Sequence, residues 1–189
     1  MTAACALNPY ADARAANDVE ALARRWVENV VIGLNLCPFA KAVHAKKQIR
    51  YVVTAASEPD DLLAELEHEI GILVDTDPLA LDTTLLIHPL AMHDFIDYHF
   101  FVGEADAALK RLEVEGVLQI AGFHPEYCFA GSEPSDVANY TNRSPHPMLH
   151  LLREASVERA VAAFPDAAHI FEGNIARLRA LGIDGLRKL

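Results

Sequence analysis

Two histidines in this chain stand directly before a proline, His88-Pro89 and His124-Pro125. Each pair closes an apolar run, TTLLI at 83–87 and VLQIAGF at 117–123. Proline cannot extend a sheet ladder and biases the preceding residue toward extended backbone, so each pair marks a strand end. One helical stretch separates the runs, the spacing of a βαβ unit. If the strands are parallel neighbours, their backbones lie about 4.8 Å apart. Both imidazoles then reach the carboxyl edge of the sheet, where open α/β sheets place ligands. The plainer reading makes each pair a strand-to-turn junction, its ring hydrogen-bonded to backbone.

His150 and Glu154 lie four apart in a stretch, 147–164, that reads as a helix, so they share a face. Two or three histidines with one carboxylate suit Zn²⁺ or non-haem Fe²⁺. The expected metal set is therefore His88, His124, His150 and Glu154, with Glu154 also available as an acid or base. Open coordination positions would activate water or dioxygen. No contiguous metal motif such as HExxH accompanies them. Arg153 falls in the apolar arc of the same predicted helix. A guanidinium there keeps its charge and needs a carboxylate or an anionic ligand. The competing reading pairs Arg153 with an internal carboxylate and uses His150 to cap a carbonyl.

Cys37 precedes Pro38 just beyond a predicted helix end, close to the basic stretch Lys41, His44, Lys46, Lys47 and Arg50. A thiol there suits a nucleophile, with His88 or His124 as base; otherwise it is a small core residue. Tyr127 suits a general acid or a packing ring. Asn139, Asn142 and Arg143, with Ser144, form a donor cluster (NYTNRS) before the predicted helix. Such a cluster holds an anion or satisfies the loop's own backbone.

The elements that position these residues read as follows. Residues 1–11 form a flexible tail, and 12–189 a single α/β domain. Val19, Leu22, Ala23, Trp26 and Val30 recur at helical spacing over 12–34, with Gly33 and Asn35 as stop signals. A strand follows at 49–54. Ser57-Glu58-Pro59 opens the next helix. The 83–87 strand leads to a helix over 94–113, and the 117–123 strand to the long loop. Helices over 147–164 and 166–181 close the chain, with Gly182 as a stop. The alternation predicts a small, mostly parallel sheet of three or slightly more strands, flanking helices and a C-terminal helix pair.

The chain has 189 residues, 52% of them hydrophobic, and a formal net charge of -11. That size and composition support a buried core. The acidic balance argues against nucleic acid and anionic membranes as partners. Three cysteines without a CxxC suit reduced thiols and a cytoplasmic protein. No secretory signal and no membrane span is read.

LNLCPFA, the first HP, QIAGFHPEYCFAG and NYTNRSPHPMLHLLREASVERA resemble the uncharacterised bacterial proteins grouped as domain of unknown function 1415. The resemblance spans about 26–182, and its last two motifs are long and specific. It implies a single-domain soluble protein and supplies no activity. The pattern falls on Asn35, Cys37, Pro38, Phe39, His88, Pro89, Gln119, His124, Pro125 and Tyr127. It continues over Asn139, Asn142, Arg143, Pro145, Pro147, His150, Arg153 and Glu154. The chain departs from it at His146, where an aromatic residue usually stands.

The leading expectation is a metal-dependent enzyme, a hydrolase or an iron oxygenase, acting on a small anionic substrate held by Asn139, Asn142, Arg143 and Arg153. A metal-free enzyme using Cys37, or a binding module without turnover, is the alternative. A homodimer is compatible with each.

Overall fold

The computed structural model describes residues 15–163 and 169–186. The tail expected over 1–11 lies outside them, as do the junction at 164–168 and the last three residues. Among the described residues no helix is long and apolar enough to cross a membrane.

α1 (Ala15–Trp26) runs directly into a π-helical turn, Val27–Ile32, which ends at the expected Gly33. A side chain at Gly33 would put its Cβ 2.2 Å from the Asn29 carbonyl oxygen, so the wide turn requires glycine. Asn35 follows at φ 50° and turns the chain toward Leu36-Cys37-Pro38. α2 (Ala40–Ala45) leads to β1 (Ile49–Val53). α3 (Pro59–Asp75) starts with proline at its first turn, where the missing N–H costs nothing. β2 (Thr83–Ile87) is buried along its whole length. Asp94 caps α4 (Phe95–Arg111), its carboxylate accepting from the N–H groups of Ile96 and Asp97. β3 is Leu118–Phe123.

The largest departure from expectation follows. Residues 148–153 form a strand, β4 (Met148–Arg153), and the helix predicted from 147 begins only at Glu154, as α5 (Glu154–Ala163). α6 (Ile170–Leu186) is interrupted at Gly182, whose φ of 66° breaks the helical path. The sheet order is β1-β2-β4-β3. β1 pairs parallel with β2, while β4 lies antiparallel to both β2 and β3. The sheet is therefore mixed and four-stranded. β2 and β3 point the same way, as expected, but β4 stands between them. Ladder pairing to β2 on one side and β3 on the other holds 148–153 extended, and a central strand packed on both faces shows no clear alternation.

Leu86, Leu149, Leu151 and Leu118 pack with α3 and α4 on one face of the sheet. Leu85, Ile87 and Met148 pack with α1 on the other.

Candidate functional site

His88 and His124 follow β2 and β3 at the same edge of the sheet. Both are buried, which favours the neutral ring. His88 Nδ1 lies 3.1 Å from the Ala91 carbonyl, so that nitrogen carries the proton and donates. His124 Nε2 donates to the Met92 carbonyl at 3.1 Å, and its Nδ1 accepts the Glu126 N–H at 3.0 Å. Tyr98 packs against both rings, with centroids 5.9 Å from His88 and 5.0 Å from His124. Burial lowers the pKa of His88 to about 4 and lowers that of His124. His124 has both nitrogens committed. His88 Nε2 is buried with no hydrogen-bond partner among the described residues.

His150 is in β4, not on a helix, and alternation places it on the opposite sheet face. Its ring meets Phe123 at 6.0 Å, and its Nε2 stands 2.7 Å from Thr83 Oγ1. That hydroxyl gives its proton to the Leu151 carbonyl, so His150 Nε2 donates to it. Desolvation lowers the pKa of His150 as well. Glu154 begins α5 at the far end of β4, where its N–H meets the Val117 carbonyl at 2.9 Å. β4 starts beside Ile87 and Phe123 and ends beside Leu118. At about 3.4 Å per residue its length separates Glu154 from His88 and His124 by roughly 17 Å. The expected four-ligand set is thus divided by a sheet face and a strand length. Among the described residues no group of three or more His, Cys, Asp or Glu is placed to hold a metal ion.

The expected anion binders hold backbone instead. Arg153 is buried on the α3 side, where it donates to the carbonyls of Leu73, Thr76 and Leu81. A cation suits these carbonyls at the helix C-terminus. Arg143 donates from Nε to the Tyr127 carbonyl at 3.0 Å and from its terminal nitrogen to that of Pro134 at 2.7 Å. Asn139 is fully buried; its Oδ1 accepts the Phe129 N–H and its Nδ2 donates to the Glu133 carbonyl. Asn142 Nδ2 caps the Gly122 carbonyl, and its own carbonyl accepts the His124 N–H. Tyr127 packs between Phe95 and Phe129, and burial pushes its hydroxyl pKa up.

Cys37, an expected catalytic residue, opens onto a cavity, which Asn142, an expected binder, also lines. Its thiol is half-buried and not in a disulfide. It lines a cleft of about 360 Å³ on the α1 side of the sheet. Val31, Leu36, Phe123, Ile170 and Phe171 form the apolar walls, and Thr141, Asn142 and Asn174 add polar groups. The π-helical turn presents Val31. Phe123 stands at the end of β3, its ring edge-on to Trp26 at 5.1 Å. Trp26 Nε1 donates to the Arg143 carbonyl at 3.0 Å. α6 roofs the cleft and is pinned by two bonds to the Asn35–Leu36 turn. Asn174 Nδ2 donates to the Leu36 carbonyl at 2.7 Å, and an Arg177 guanidinium nitrogen to the Asn35 carbonyl at 3.0 Å. A second recess of about 160 Å³ shares Ile170 and Asn174 with the cleft and adds Asn35, Pro38, His169 and Arg177. Val31, Phe123, Asn174 and Arg177 were not expected at a site. The signal that could have found them is the LNLCP turn, which any helix packed on it must contact.

Comparison with curated proteins and with solved structures gives no match. The family comparison does: the chain belongs to the family described as protein of unknown function (DUF1415), whose model matches residues 18–188.

Proposed function

We propose that the protein binds a small molecule in the cleft beneath α6, against the Cys37 thiol. One observation carries this reading. Four segments distant in sequence, the Leu36-Cys37 turn, the end of β3, the Thr141-Asn142 pair and α6, converge on one cavity with a free thiol in its wall. Its size, near 360 Å³, falls at the small end of ligand cavities, roughly 300–1,000 Å³. Mostly apolar walls with a few fixed polar groups are the usual lining of such sites.

The test is alkylation of Cys37 by iodoacetamide, followed by peptide mass mapping across a set of small metabolites. At least one compound should slow labelling of Cys37, leave Cys128 unaffected and raise the melting temperature. Val31→Phe, which fills the cleft, should abolish both effects. Uniform labelling under every compound, with no thermal shift, would sink the reading.

A second reading makes Cys37 a nucleophile, because its thiol lies where a bound ligand must touch it. His88 and His124, expected as its base, face the other side of the sheet, toward Tyr98. Cys37→Ser would then keep the ligand-induced thermal shift and lose any covalent adduct seen by intact mass. Retained turnover in that variant counts against it.

A further inference from the structure

The cleft shares Ile170 and Asn174 with the smaller recess, whose lining includes the exposed Arg177. Arg177 donates to two neutral oxygens, the Asn35 carbonyl at 3.0 Å and Asn174 Oδ1 at 3.3 Å. No carboxylate among the described residues forms an ion pair with it. Other arginines of the chain are differently engaged: Arg24, Arg50, Arg111 and Arg179 pair with Glu20, Glu69, Glu67 and Asp136. Arg143, Arg153 and Arg159 likewise bond to neutral partners, so what sets Arg177 apart is its place in the wall of the recess beside the cleft. Both of its protein contacts use the same guanidinium nitrogen, so its other N–H donors remain for a ligand.

We infer that the ligand of this cleft is a small apolar carboxylate, its body against Phe123, Ile170 and Phe171 and its anionic group at Arg177. This rests on the cleft being the binding site and adds the class of molecule. A carboxylate fits better than a phosphate on two grounds. The recess is small, about 160 Å³, and offers one guanidinium, a single positive charge that balances a monoanion. The strongly negative chain also repels a dianion more than a monoanion. Arg143 and Arg153 line neither the cleft nor the recess and donate to backbone carbonyls elsewhere, so they are not the charge readers.

The chain has a single tryptophan, and Trp26 contacts the Phe123 wall of the cleft. Its fluorescence therefore reports occupancy. The experiment titrates the intact protein with octanoate and 3-phenylpropanoate, and with the corresponding neutral amides, following Trp26 emission and the melting temperature. Each acid should bind about two- to fivefold tighter than its amide, the size expected of an ion pair at an exposed guanidinium. Arg177→Gln should bring acid and amide to near-equal affinity, while Arg177→Lys keeps most of the preference. Equal binding of acid and amide to the wild type overturns the inference, whether or not the Gln variant folds. So does an acid preference that survives in a folded Arg177→Gln protein. If neither pair binds but other compounds protect Cys37 from alkylation, the carboxylate inference falls and the cleft reading stands. If nothing protects Cys37, both fall.

Discussion

His88 and His124 grip consecutive carbonyls of one loop, His88 that of Ala91 and His124 that of Met92. The loop leaves β2 and reaches Asp94, the cap of α4, and it passes through Met92 at φ 57°, an unusual backbone for a side chain of that size. Two strand ends separated by β4 are thereby clamped to a single turn, with Tyr98 packed against both rings. The clamp favours neutral imidazoles, since burial disfavours a charged ring at either site and protonation would cost His124 the bond its Nδ1 accepts from the Glu126 N–H.

That dependence makes stability fall with acid. The pKa of His88 is about 4 in the folded chain against an ordinary value of 6.5. Between those values the unfolded chain binds more protons, so stability drops as pH falls from about 6.5 toward 4 and levels off below. The gap corresponds to roughly 3 kcal/mol. His124 and His150 shift in the same direction, and the nearby His93 and His124 add repulsion once protons arrive. Urea midpoints at pH 7.5, 5.5 and 4.5 should decline, and His88→Asn, whose amide can still donate to Ala91, should flatten the decline. An equal slope in both proteins would count against the clamp as its source.

Arg153 is expected to matter for folding. Arg153→Met leaves the carbonyls of Leu73, Thr76 and Leu81 without their buried donor and should cost about 3 kcal/mol in denaturant unfolding. Arg153→Lys, with a smaller reach, should recover part of this. Ligand-induced protection of Cys37 should be unchanged in any folded variant. Wild-type stability together with lost ligand binding would restore the anion role.

How far these roles could be read from the sequence differs from residue to residue. β2 was legible because TTLLI is short, β-branched at its start and closed by His-Pro. The common direction of β2 and β3, and the shared edge of His88 and His124, follow from the same signals. β4 was hidden because MLHLLRE fits both periods. His150 and Glu154, or Leu149 and Arg153, stack at a four-residue spacing, while a central strand buried on both faces gives no alternation. Reading it as a helix carried His150 to the wrong partners and gave Arg153 a vacant apolar arc, when strand geometry delivers it to the end of α3. The loop asparagines were visible as a cluster, but a donor toward a ligand and a donor toward the chain's own carbonyls have one composition. Cys37 was legible as a candidate; Arg177 was not, because nothing local to α6 records that it packs on the Asn35 turn.

Gly122 is a close-approach site. A Cβ there would lie 2.5 Å from the Tyr98 hydroxyl, which donates to the Met148 carbonyl at 2.9 Å. Gly122→Ala should therefore destabilise by about 1–3 kcal/mol, as overpacking does. Tyr98→Phe alone should cost about 1 kcal/mol for the lost hydrogen bond. With the hydroxyl gone, the added methyl still meets the ring edge at 3.3 Å, so the double variant should be more stable than the sum of the two losses. Strict additivity would mean that the methyl is accommodated elsewhere.

Asn139 holds the loop between β3 and β4 from inside. Its Oδ1 accepts at 3.1 Å from the Phe129 N–H and its Nδ2 donates at 2.9 Å to the Glu133 carbonyl. Asn139→Asp preserves shape, and the carboxylate can still accept. It cannot donate, and it sets a buried negative charge against the Glu133 oxygen. A loss on the order of 2–4 kcal/mol is expected at pH 8. Desolvation raises the pKa of a buried aspartate, and its protonated form can donate again. The variant should therefore lie closer to wild type at pH 5 than at pH 8, although wild type itself is weaker there. Limited proteolysis at pH 8 should cut the variant between Tyr127 and Asp136, the segment that Arg143 also ties down. Equal stability and equal protease resistance at pH 8 would mean that Arg143 alone suffices to hold the loop.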